Sequence, residues 1–411
     1  MKQKRRLASR VGATVMALLL TAAVGCTDGA TSNTSTAAQT VKLTLWGAAD
    51  DQTMLREMVD SFQQAHPDKT YDITLRVTGE DVAKDEALKD IDAAADVFSI
   101  GHDQLGALVE AGAVYENTKY ADDIQNSQSE NALLAAQYNG KYYGYPYSID
   151  TYFLYYDKSK LSADDVKSLE GILAKKQDDG VAKLGYDLSD GYFAAAFFFT
   201  NGCTLFGDKG DDKTQVDFNN AQGVQVGNYI AGLKEKGVVN IDSDTAGTQF
   251  KSGKLAAMVS GPWKSASYQE YLGDNYGVAV LPTVRFDKED KAMVPFSGLK
   301  MYVVNAKTDA PLEAMALANY LTNEENQLKR FNDRALLPTN KAVAANPDVT
   351  DDPTVAVILE QVKTARVMPA LPQMSNFWDP TAAFAKDAFD GKISAGDMQS
   401  KLDKLVSDIK G

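Results

Sequence analysis

Hydrophobic and polar positions follow two different periods in the first part of the chain. In VKLTLW (41–46) apolar residues recur at every second position, which predicts a strand with one buried face. The next stretch, DDQTMLREMVDSFQQAHPD, spaces its apolar residues as a helix does, and Pro67 ends that helix. YDITLRV and ADVFSIG predict two more strands, the second apolar enough to be buried on both faces.

The same alternation continues toward the C-terminus. DQLGALVEAG and AQGVQVGNYIAGLKEKG predict helices, whereas LAAMVSG and YGVAVLP predict strands. No repeat of fixed period is present. Alternation over this length predicts an α/β fold with helices on both faces of its sheets. A chain of 411 residues also exceeds what one hydrophobic core usually serves, so two domains are expected.

Two extended segments predict the places where the chain passes between domains. KYYGYPYSIDTYFLYYD is a run of polar and aromatic residues without a helical period, and AMVPFSGLKMYVV is interrupted by Pro295 and Gly298. A few positions in such segments can absorb large backbone changes and act as a hinge. A pair of ordinary edge strands is the alternative.

The N-terminus has the pattern of a secretory signal over residues 1–25. Five basic residues precede VGATVMALLLTAAVG, and this run of about 15 residues is shorter than the roughly 20 that a membrane-spanning helix needs. AAVGC resembles a bacterial lipobox, in which Cys26 becomes the lipidated first residue, although Ala23 stands where that motif usually has leucine. A cleaved signal followed by an unrelated cysteine is the alternative. Residues 26–40, rich in Ser, Thr and Ala, predict a flexible tether.

Composition and charge narrow the class of protein. The chain is 44% hydrophobic and 24% charged, which is typical of a globular domain. Its formal net charge is −14, and all of its acidic residues follow residue 25, so the chain beyond the signal is more acidic still. Phosphate binding needs basic patches and none is found, which argues against a nucleic-acid partner. Cys203, in apolar surroundings, has the pattern of a buried thiol.

Several kinds of enzyme chemistry lack their motifs. There is no G-x-x-x-x-G-K-[ST], no G-x-G-x-x-G after a strand and no G-x-S-x-G. Only His66 and His102 are present, which makes a histidine metal site or a serine triad hard to build. The aspartates of 208–217 lack the spacing of a calcium loop, so a solvated turn is favoured. We therefore predict no cofactor, no metal and no catalytic residues.

What remains is a set of aspartates and aromatic residues at predicted strand ends. Ligands of open α/β sheets bind at the carboxyl ends of strands, where loops converge. Carboxylates accept hydrogen bonds from hydroxyls and aromatic faces cover C–H surfaces, so the combination suits a sugar. For any single aspartate, a helix cap or a surface charge is the alternative. The acidic candidates are Asp50, Asp51, Asp103, Asp150 and Asp190.

Four segments carry a resemblance to a known family: YNGKYYGYPYSIDTYFLYYDKSKL, FKSGKLAAMVSGPW, YGVAVLPT and VMPALPQMSNFW. From residue 41 to 411 the chain resembles the sugar-binding lipoproteins of bacterial ATP-binding cassette importers, most closely maltose/maltodextrin-binding proteins. The resemblance implies a two-lobed periplasmic-binding-protein-like α/β fold with a three-segment hinge and a ligand cleft between the lobes. It places 41–149 and 302–350 in the N-terminal lobe, and 150–301 and 351–411 in the C-terminal lobe.

The resemblance also implies roles for individual residues. Acids that hydrogen-bond glucosyl hydroxyls are matched by Asp50, Asp103, Asp150 and Asp190, and aromatic platforms are matched by Tyr192, Trp263 and Trp378. Trp46 lies near the cleft in the family, but we expect it to pack in the core.

The chain departs from the family pattern at three positions. The family's best-known member has lysine at the position of Asp51, tryptophan at that of Ile100 and arginine at that of Gln104. Loss of a basic donor and of a stacking face should alter the sugar subsites, so the resemblance does not imply a strict preference for maltose. We expect Tyr147 or Tyr152 to supply a replacement surface.

The function implied is that of a monomeric, non-enzymatic receptor, lipid-anchored through Cys26 at the extracellular face of the cell membrane. It would capture maltose/maltodextrin-type α-gluco-oligosaccharides and deliver them to an ATP-binding cassette permease. Three alternatives stay open. These are a binding protein for another di- or oligosaccharide, a secreted glycoside hydrolase, which also combines carboxylates with aromatic platforms, and a sensor or adhesin without a transport role.

Overall fold

The computed structural model describes residues 40–411. The predicted signal, Cys26 and the predicted tether up to residue 39 lie outside the described residues, and Thr40 already begins the first strand. Within 40–411, no helix combines the length and the apolar composition that crossing a bilayer requires.

Residues 40–411 form sixteen strands and seventeen α-helices. The strands are β1 (Thr40–Gly47), β2 (Thr70–Val77), β3 (Val97–Gly101), β4 (Gln137–Tyr138), β5 (Lys141–Tyr142), β6 (Tyr145–Thr151), β7 (Phe153–Asp157), β8 (Leu184–Tyr186), β9 (Val238–Asn240), β10 (Ala257–Ser260), β11 (Tyr276–Ala279), β12 (Thr283–Phe286), β13 (Glu289–Ala292), β14 (Phe296–Val304), β15 (Leu337–Pro338) and β16 (Arg366–Val367). The helices are α1 (Gln52–Ala65), α2 (Glu80–Lys89), α3 (Leu105–Glu110), α4 (Ala121–Ser127), α5 (Glu130–Ala135), α6 (Leu169–Ala174), α7 (Gly191–Thr200), α8 (Ala221–Ala231), α9 (Ser243–Lys251), α10 (Ser265–Leu272), α11 (Pro311–Leu321), α12 (Glu324–Arg334), α13 (Lys341–Ala344), α14 (Pro347–Thr350), α15 (Pro353–Val362), α16 (Trp378–Phe389) and α17 (Met398–Lys410).

Two mixed sheets form the centres of two lobes. The seven-stranded sheet has the order β15-β6-β14-β3-β1-β2, with β16 beside β14, and defines the large-sheet lobe. The five-stranded sheet has the order β11-β7-β10-β8-β9 and defines the small-sheet lobe. In the large sheet β1 is parallel to β2 and β3, while β14 runs antiparallel to β3 and β6. The predicted two-lobed α/β fold is confirmed.

Helices cover both faces of each sheet because the strands are apolar on both sides. Helices α1 and α11 pack on one face of the large sheet, and α2 and α3 pack on the other. On the small sheet, α7, α8 and α16 share a core with one face, and α9, α10 and α15 share a core with the other. Trp46 lies in the core between the large sheet and α2, with its ring centroid 5.8 Å from that of Phe98, as expected.

The chain passes between the sheets inside both of the predicted crossing segments. Strand β6 belongs to the large sheet, and β7, which starts only two residues later, belongs to the small one. The chain returns to the large sheet with β14, which begins at Phe296 directly after Pro295. Strand β14 continues in the large sheet up to Val304. The lobe boundaries at 149/150, 301/302 and 350/351 stay a prediction.

Candidate ligand-binding site

Four of the predicted site residues, contributed by both lobes, lie close together. Asp103 follows β3 and Asp150 lies in β6, whereas Asp190 and Tyr192 stand at the start of α7 in the small-sheet lobe. Burial raises the pKa of Tyr192 far above its ordinary value, and the nearby carboxylates of Asp150, Asp190 and Asp103 raise it further. Two of these residues belong to each lobe, so the region that they border lies between the lobes.

The two acids of the large-sheet lobe are held in surroundings that disfavour their charge. Burial raises the pKa of Asp103 and of Asp150 to about 6. Lys84 near Asp103 and Lys300 near Asp150 oppose this rise without cancelling it. Desolvated carboxyl groups that lack a full counter-charge are suited to accept hydrogen bonds from a ligand.

Three buried polar atoms in this region have no hydrogen-bond partner among the described residues. They are Asp150 Oδ1, the Tyr192 hydroxyl and Gln104 Oε1. Leaving a buried polar group unpaired costs about 1 to 3 kcal/mol, and such groups in native structures call for an explanation. Hydroxyl groups of a ligand between the lobes would supply the missing partners.

Aromatic rings line the small-sheet side of the region. The Tyr192 ring is nearly parallel to that of Phe296, with centroids 6.1 Å apart. The Trp378 ring meets Phe296 edge-on at 5.8 Å, so Phe296 stands between two of the predicted platform residues. Both Tyr192 and Trp378 are only partly buried, which leaves part of each ring available to a ligand.

Trp263 joins the two lobes. It follows β10 in a short 3-10 turn that begins at Pro262, a residue suited to the first turn of a helix. Its partly buried ring packs against the cores of both lobes. The centroids of Tyr192 and Phe193 lie 6.5 Å from it. The turn therefore places the indole at the boundary between the lobes.

Asp190 is a helix cap. Its Oδ1 accepts a hydrogen bond of 2.8 Å from the backbone N–H of Tyr192, so the carboxylate fixes the first turn of α7. A helix cap, the alternative role expected for any single aspartate, is therefore observed for Asp190. A carboxylate has a second oxygen, so the capping role leaves room for the proposed contact with a ligand.

Asp51 is buried and ion-paired. Arg334 Nε lies 3.1 Å from its Oδ1, and the Nη1 atom of the fully buried Arg330 lies 4.0 Å from its Oδ2. The Arg330 guanidinium also stands 4.3 Å from the ring centroid of Tyr147 and donates a 2.9 Å hydrogen bond to the Tyr302 hydroxyl. These partners occupy Asp51, and its role as a ligand residue stays a prediction.

A group of charged contacts connects the lobes at the rim of this region, and we call it the rim ion cluster. Lys264 Nζ of the small-sheet lobe lies 3.0 Å from Asp50 Oδ2 of the large-sheet lobe and 2.6 Å from Asp244 Oδ1. Arg334 donates to the backbone carbonyl of Asp50 at 2.9 Å and to that of Trp263 at 3.2 Å. The cluster holds the lobes together through Asp50, which is itself a predicted site residue.

The residues at the three departures from the family pattern have clear places. Ile100 is fully buried in the core of the large-sheet lobe, and Gln104 donates a 2.7 Å hydrogen bond to the Glu80 carbonyl. Tyr147 and Tyr152 are both buried, one beneath Arg330 and the other bonded to the Tyr192 carbonyl. Neither tyrosine presents a ring face to a ligand in this structure, so the expected replacement surface is not found there.

The sequence reasoning missed five charged residues of this region: Glu80, Lys264, Lys300, Arg330 and Arg334. Only Lys300 carried a local signal, since it interrupts the otherwise uncharged strand FSGLKMYVV. A charged residue within a buried strand needs a partner or a function. Arg330 and Arg334 lie on a helix with a strongly polar sequence, where an arginine normally faces solvent.

His102 connects segments that are distant along the chain. Its Nε2 bonds the Met368 carbonyl at 3.0 Å, and its Nδ1 accepts from the Leu299 N–H at 3.2 Å. Burial lowers the pKa of His102 to about 4, so the ring is neutral at physiological pH and carries its proton on Nε2. His102 therefore fixes the segment 366–368 beside β14. Over residues 40–411, no group of metal-ligating side chains suits a metal ion.

Replacing Asp103 by asparagine is expected to change how stability depends on pH. The pKa of Asp103 rises from 3.8 to about 6 on folding. A raised pKa contributes stability below the unfolded value, and this contribution is lost as pH rises through the folded value. The non-titrating Asp103→Asn chain avoids that loss. We expect it to gain on the order of 2 kcal/mol relative to wild type between pH 4 and 7.

Urea unfolding of both proteins without ligand, at the two pH values, measures this difference. Asp60→Asn, at an exposed position of α1, is the matched control and is expected to follow the wild type. A difference between wild type and Asp103→Asn that is equal at both pH values would contradict the burial of an ionisable Asp103.

Comparison with known proteins places this architecture in a family. Residues 57–357 match the bacterial extracellular solute-binding proteins. The galactooligosaccharide-binding protein of Bacillus subtilis is 26% identical over 404 residues, covering 94% of this chain and 93% of its own length. The maltooligosaccharide ABC transporter solute-binding lipoprotein of Streptococcus pneumoniae is 29% identical and covers 73% of each chain.

Among solved structures, the maltodextrin-binding protein of L. casei without ligand has a TM-score of 0.77 and 32% identity. It covers 91% of this chain and 100% of its own. Because the family match spans residues 57–357 and so exceeds half of the 411 residues, the chain belongs to the bacterial extracellular solute-binding proteins.

Proposed function

We propose that this protein is a lipid-anchored receptor that captures maltodextrin-type α-gluco-oligosaccharides between its lobes and delivers them to an ATP-binding cassette permease. The observation that carries the proposal is the pair of buried, unpartnered oxygens of Asp150 and Tyr192, beside aromatic rings and between two lobes. Such a region offers acceptors for hydroxyl groups and flat surfaces for the C–H faces of a sugar.

The family is one of solute-binding proteins and not of enzymes, so the glycoside hydrolase alternative is set aside. The pneumococcal and L. casei relatives carry names for maltooligosaccharides and maltodextrins, which supports the α-glucan class for this chain. The B. subtilis relative is named for galactooligosaccharides, and it matches almost the whole chain. A galactooligosaccharide receptor is therefore the second candidate.

The anchor and the location rest on the N-terminal sequence. AAVGC offers Cys26 for lipidation, and the Ser/Thr/Ala-rich residues that follow would tether the folded part to the outer face of the membrane. The pneumococcal relative is itself named a lipoprotein. A monomer is expected, because a single chain supplies both lobes and so both sides of the proposed binding region.

Affinity in such a receptor needs several contributions. One aromatic face on a sugar contributes on the order of 1 to 2 kcal/mol, while micromolar affinity requires about 8 kcal/mol. Hydrogen bonds to Asp103, Asp150 and Asp190 must therefore add to the aromatic contacts. A ligand that touches both lobes only when they are closed also shifts the population toward the closed form, which a permease can recognise.

Tryptophan fluorescence of residues 27–411, a span that contains the whole compact unit Thr40–Gly411, tests the proposal. We expect a saturable change with maltose and maltotriose, because Trp263 and Trp378 border the region. The change should be lost in Trp378→Ala and kept in Trp46→Phe, since Trp46 lies in the core.

The other sugars in the same titration are galactooligosaccharides, trehalose, isomaltose, raffinose and xylobiose. A response to galactooligosaccharides alone would replace the maltodextrin assignment by the second candidate. Silence toward every sugar would contradict a carbohydrate receptor.

A further inference from the structure

Lys300 lies in the middle of β14, a largely buried position that is unusual for a lysine. The side chain is only 14% exposed, and the residues directly before and after it in the strand, Leu299 and Met301, are apolar. Strand β14 itself is central in the large sheet, between β3 and β6. Ordering and desolvating a lysine in such a place is unfavourable unless the ammonium group has a use.

The strand pairing places Lys300 on the same face as Asp150. Gly298 lies opposite Asp150 in the pairing of β14 with β6, and Lys300 lies opposite Ser148 two residues further along. Residues directly opposite one another, and residues two apart on one strand, share a face of the sheet. The ammonium group and the Asp150 carboxylate are therefore presented in the same direction by adjacent strands.

The ammonium group of Lys300 has unused hydrogen-bonding capacity. Its closest carboxylate oxygen, Glu80 Oε2, is 3.9 Å away, which is beyond hydrogen-bond distance. Within residues 40–411 its Nζ donates no hydrogen bond, although an ammonium carries three donors. Burial lowers the pKa of Lys300, but the carboxylates of Glu80, Asp150 and Asp51 outweigh burial and raise it to about 12. The ammonium group is therefore charged at physiological pH and has hydrogen-bond donors without acceptors.

Lys300 also faces the opposite lobe. Its Nζ lies 5.1 Å from the ring centroid of Trp263, the indole at the boundary between the lobes. On the same side, Asp150 Oδ1 is buried without a partner. A donor and an acceptor with free hydrogen-bonding capacity therefore lie on the same face of adjacent strands, in the region where the lobes meet.

We propose that Lys300 is a ligand-binding residue that, together with Asp150, recognises two adjacent hydroxyl groups of one pyranose unit. Each hydroxyl both donates and accepts, so one can receive a hydrogen bond from the ammonium while its neighbour donates to the carboxylate. The proposal rests on the proposed sugar-binding function. The family resemblance expects a basic donor at position 51, where this chain has Asp51 paired with arginines. Lys300 would supply that donor from a different strand.

The same arrangement predicts which sugars are accepted. The ligand unit must be neutral, because Glu80, Asp150 and Asp51 surround the ammonium with negative charge and would repel a sugar carboxylate. It must also have two free neighbouring hydroxyls, since a sugar that lacks either one leaves the ammonium or the carboxylate unpaired.

A double-mutant cycle measured by calorimetry tests the proposal. Dissociation constants of wild type, Lys300→Met, Asp150→Asn and the double variant are compared for whichever sugar of the panel the wild type binds most tightly. We expect Lys300→Met to weaken binding by about 10- to 100-fold, as loss of a charged hydrogen bond does. The double variant should lose less than the product of the two single effects, because both groups hold one sugar unit. Lys300→Arg should retain more affinity than Lys300→Met.

The matched control is Lys160→Met, which removes a lysine of similar exposure that is paired with Asp157 and should leave binding unchanged. A Lys300→Met protein that is less stable without ligand but binds as tightly as wild type would overturn the proposal, because Lys300 would then serve the fold alone. Strictly multiplicative effects in the cycle would also overturn it. Binding of galactooligosaccharides instead of maltodextrins refutes only the maltodextrin assignment, whereas a wild type that binds no sugar refutes both proposals.

Discussion

Arg330→Met is expected to lower the free energy of unfolding by about 3 kcal/mol. The guanidinium is fully buried and stands over the rings of Tyr147 and Tyr302, 4.3 Å and 5.4 Å from their centroids. Methionine fills much of the same volume but removes the hydrogen bond to Tyr302 and the positive charge beside Asp51. Breaking a buried pair by removing one partner typically costs about 3 to 5 kcal/mol. Arg334 still compensates Asp51, so the lower end applies.

Urea unfolding of the ligand-free protein measures this change. The control is Arg285→Met, which breaks two hydrogen bonds of 2.7 and 2.9 Å to Asp290 at the surface. The Arg285–Asp290 pair is exposed and screened by water, so the free energy of unfolding of the control should equal that of wild type within the error of the measurement. Adding Asp51→Asn to Arg330→Met should recover part of the loss, because the double variant no longer buries a carboxylate that has lost one of its two arginine partners. A single Arg330→Met variant as stable as wild type would show that the buried arginine contributes nothing to the fold.

Trp263→Ala is expected to weaken sugar binding by at least about 100-fold, which corresponds to about 2.7 kcal/mol. The indole packs against the cores of both lobes, so its removal takes away contact with a ligand and contact between the lobes together. Full burial of a large side chain is worth about 1.5 to 3 kcal/mol, and aromatic side chains lie at the upper end. Trp263→Phe keeps part of both contacts and should lose about 10-fold.

Calorimetry serves here better than fluorescence, because the variant removes one of the reporting indoles. Trp46→Phe, in the core beside Phe98, is the matched control and should bind as wild type does. Far-UV circular dichroism checks that Trp263→Ala retains its fold. If the folded Trp263→Ala protein kept wild-type affinity, Trp263 would be a structural residue of the lobe boundary and not a sugar platform.

The fold could be predicted from the sequence because its elements have strong local patterns. The period of two in 41–46 became β1, and the helical spacing after it became α1, which ends just before Pro67. Both crossing segments were also visible, since polar and aromatic residues without a helical period interrupt the alternation. What the pattern could not give is strand order, because pairs such as β14 with β3 join residues about two hundred positions apart.

The candidate site was only partly predictable, for a physical reason. A carboxylate at a strand end looks the same in sequence whether it caps a helix, as Asp190 does, or pairs with an arginine, as Asp51 does. The partner that decides between these roles lies far along the chain, and Arg334 in α12 reaches Asp51 only because α12 packs against α1. Lys300 did stand out as the one charge in its strand, but its proposed role depends on Asp150 of the neighbouring strand, which the local pattern does not show.

The rim ion cluster gives the contact between the lobes a dependence on dissolved salt. The contact between Lys264 and Asp50 is partly open to water, with 44% of the Asp50 side chain exposed, so mobile ions screen it. Screening lengths fall from about 10 Å at 0.1 M salt to about 3 Å at 1 M, whereas hydrogen bonds and ring contacts with an uncharged sugar are hardly affected. Rising ionic strength is therefore expected to weaken the Lys264–Asp50 contact more than it weakens contacts with an uncharged sugar. For a member of an extracellular family, the salt content of the surrounding medium would then set the strength of this contact between the lobes.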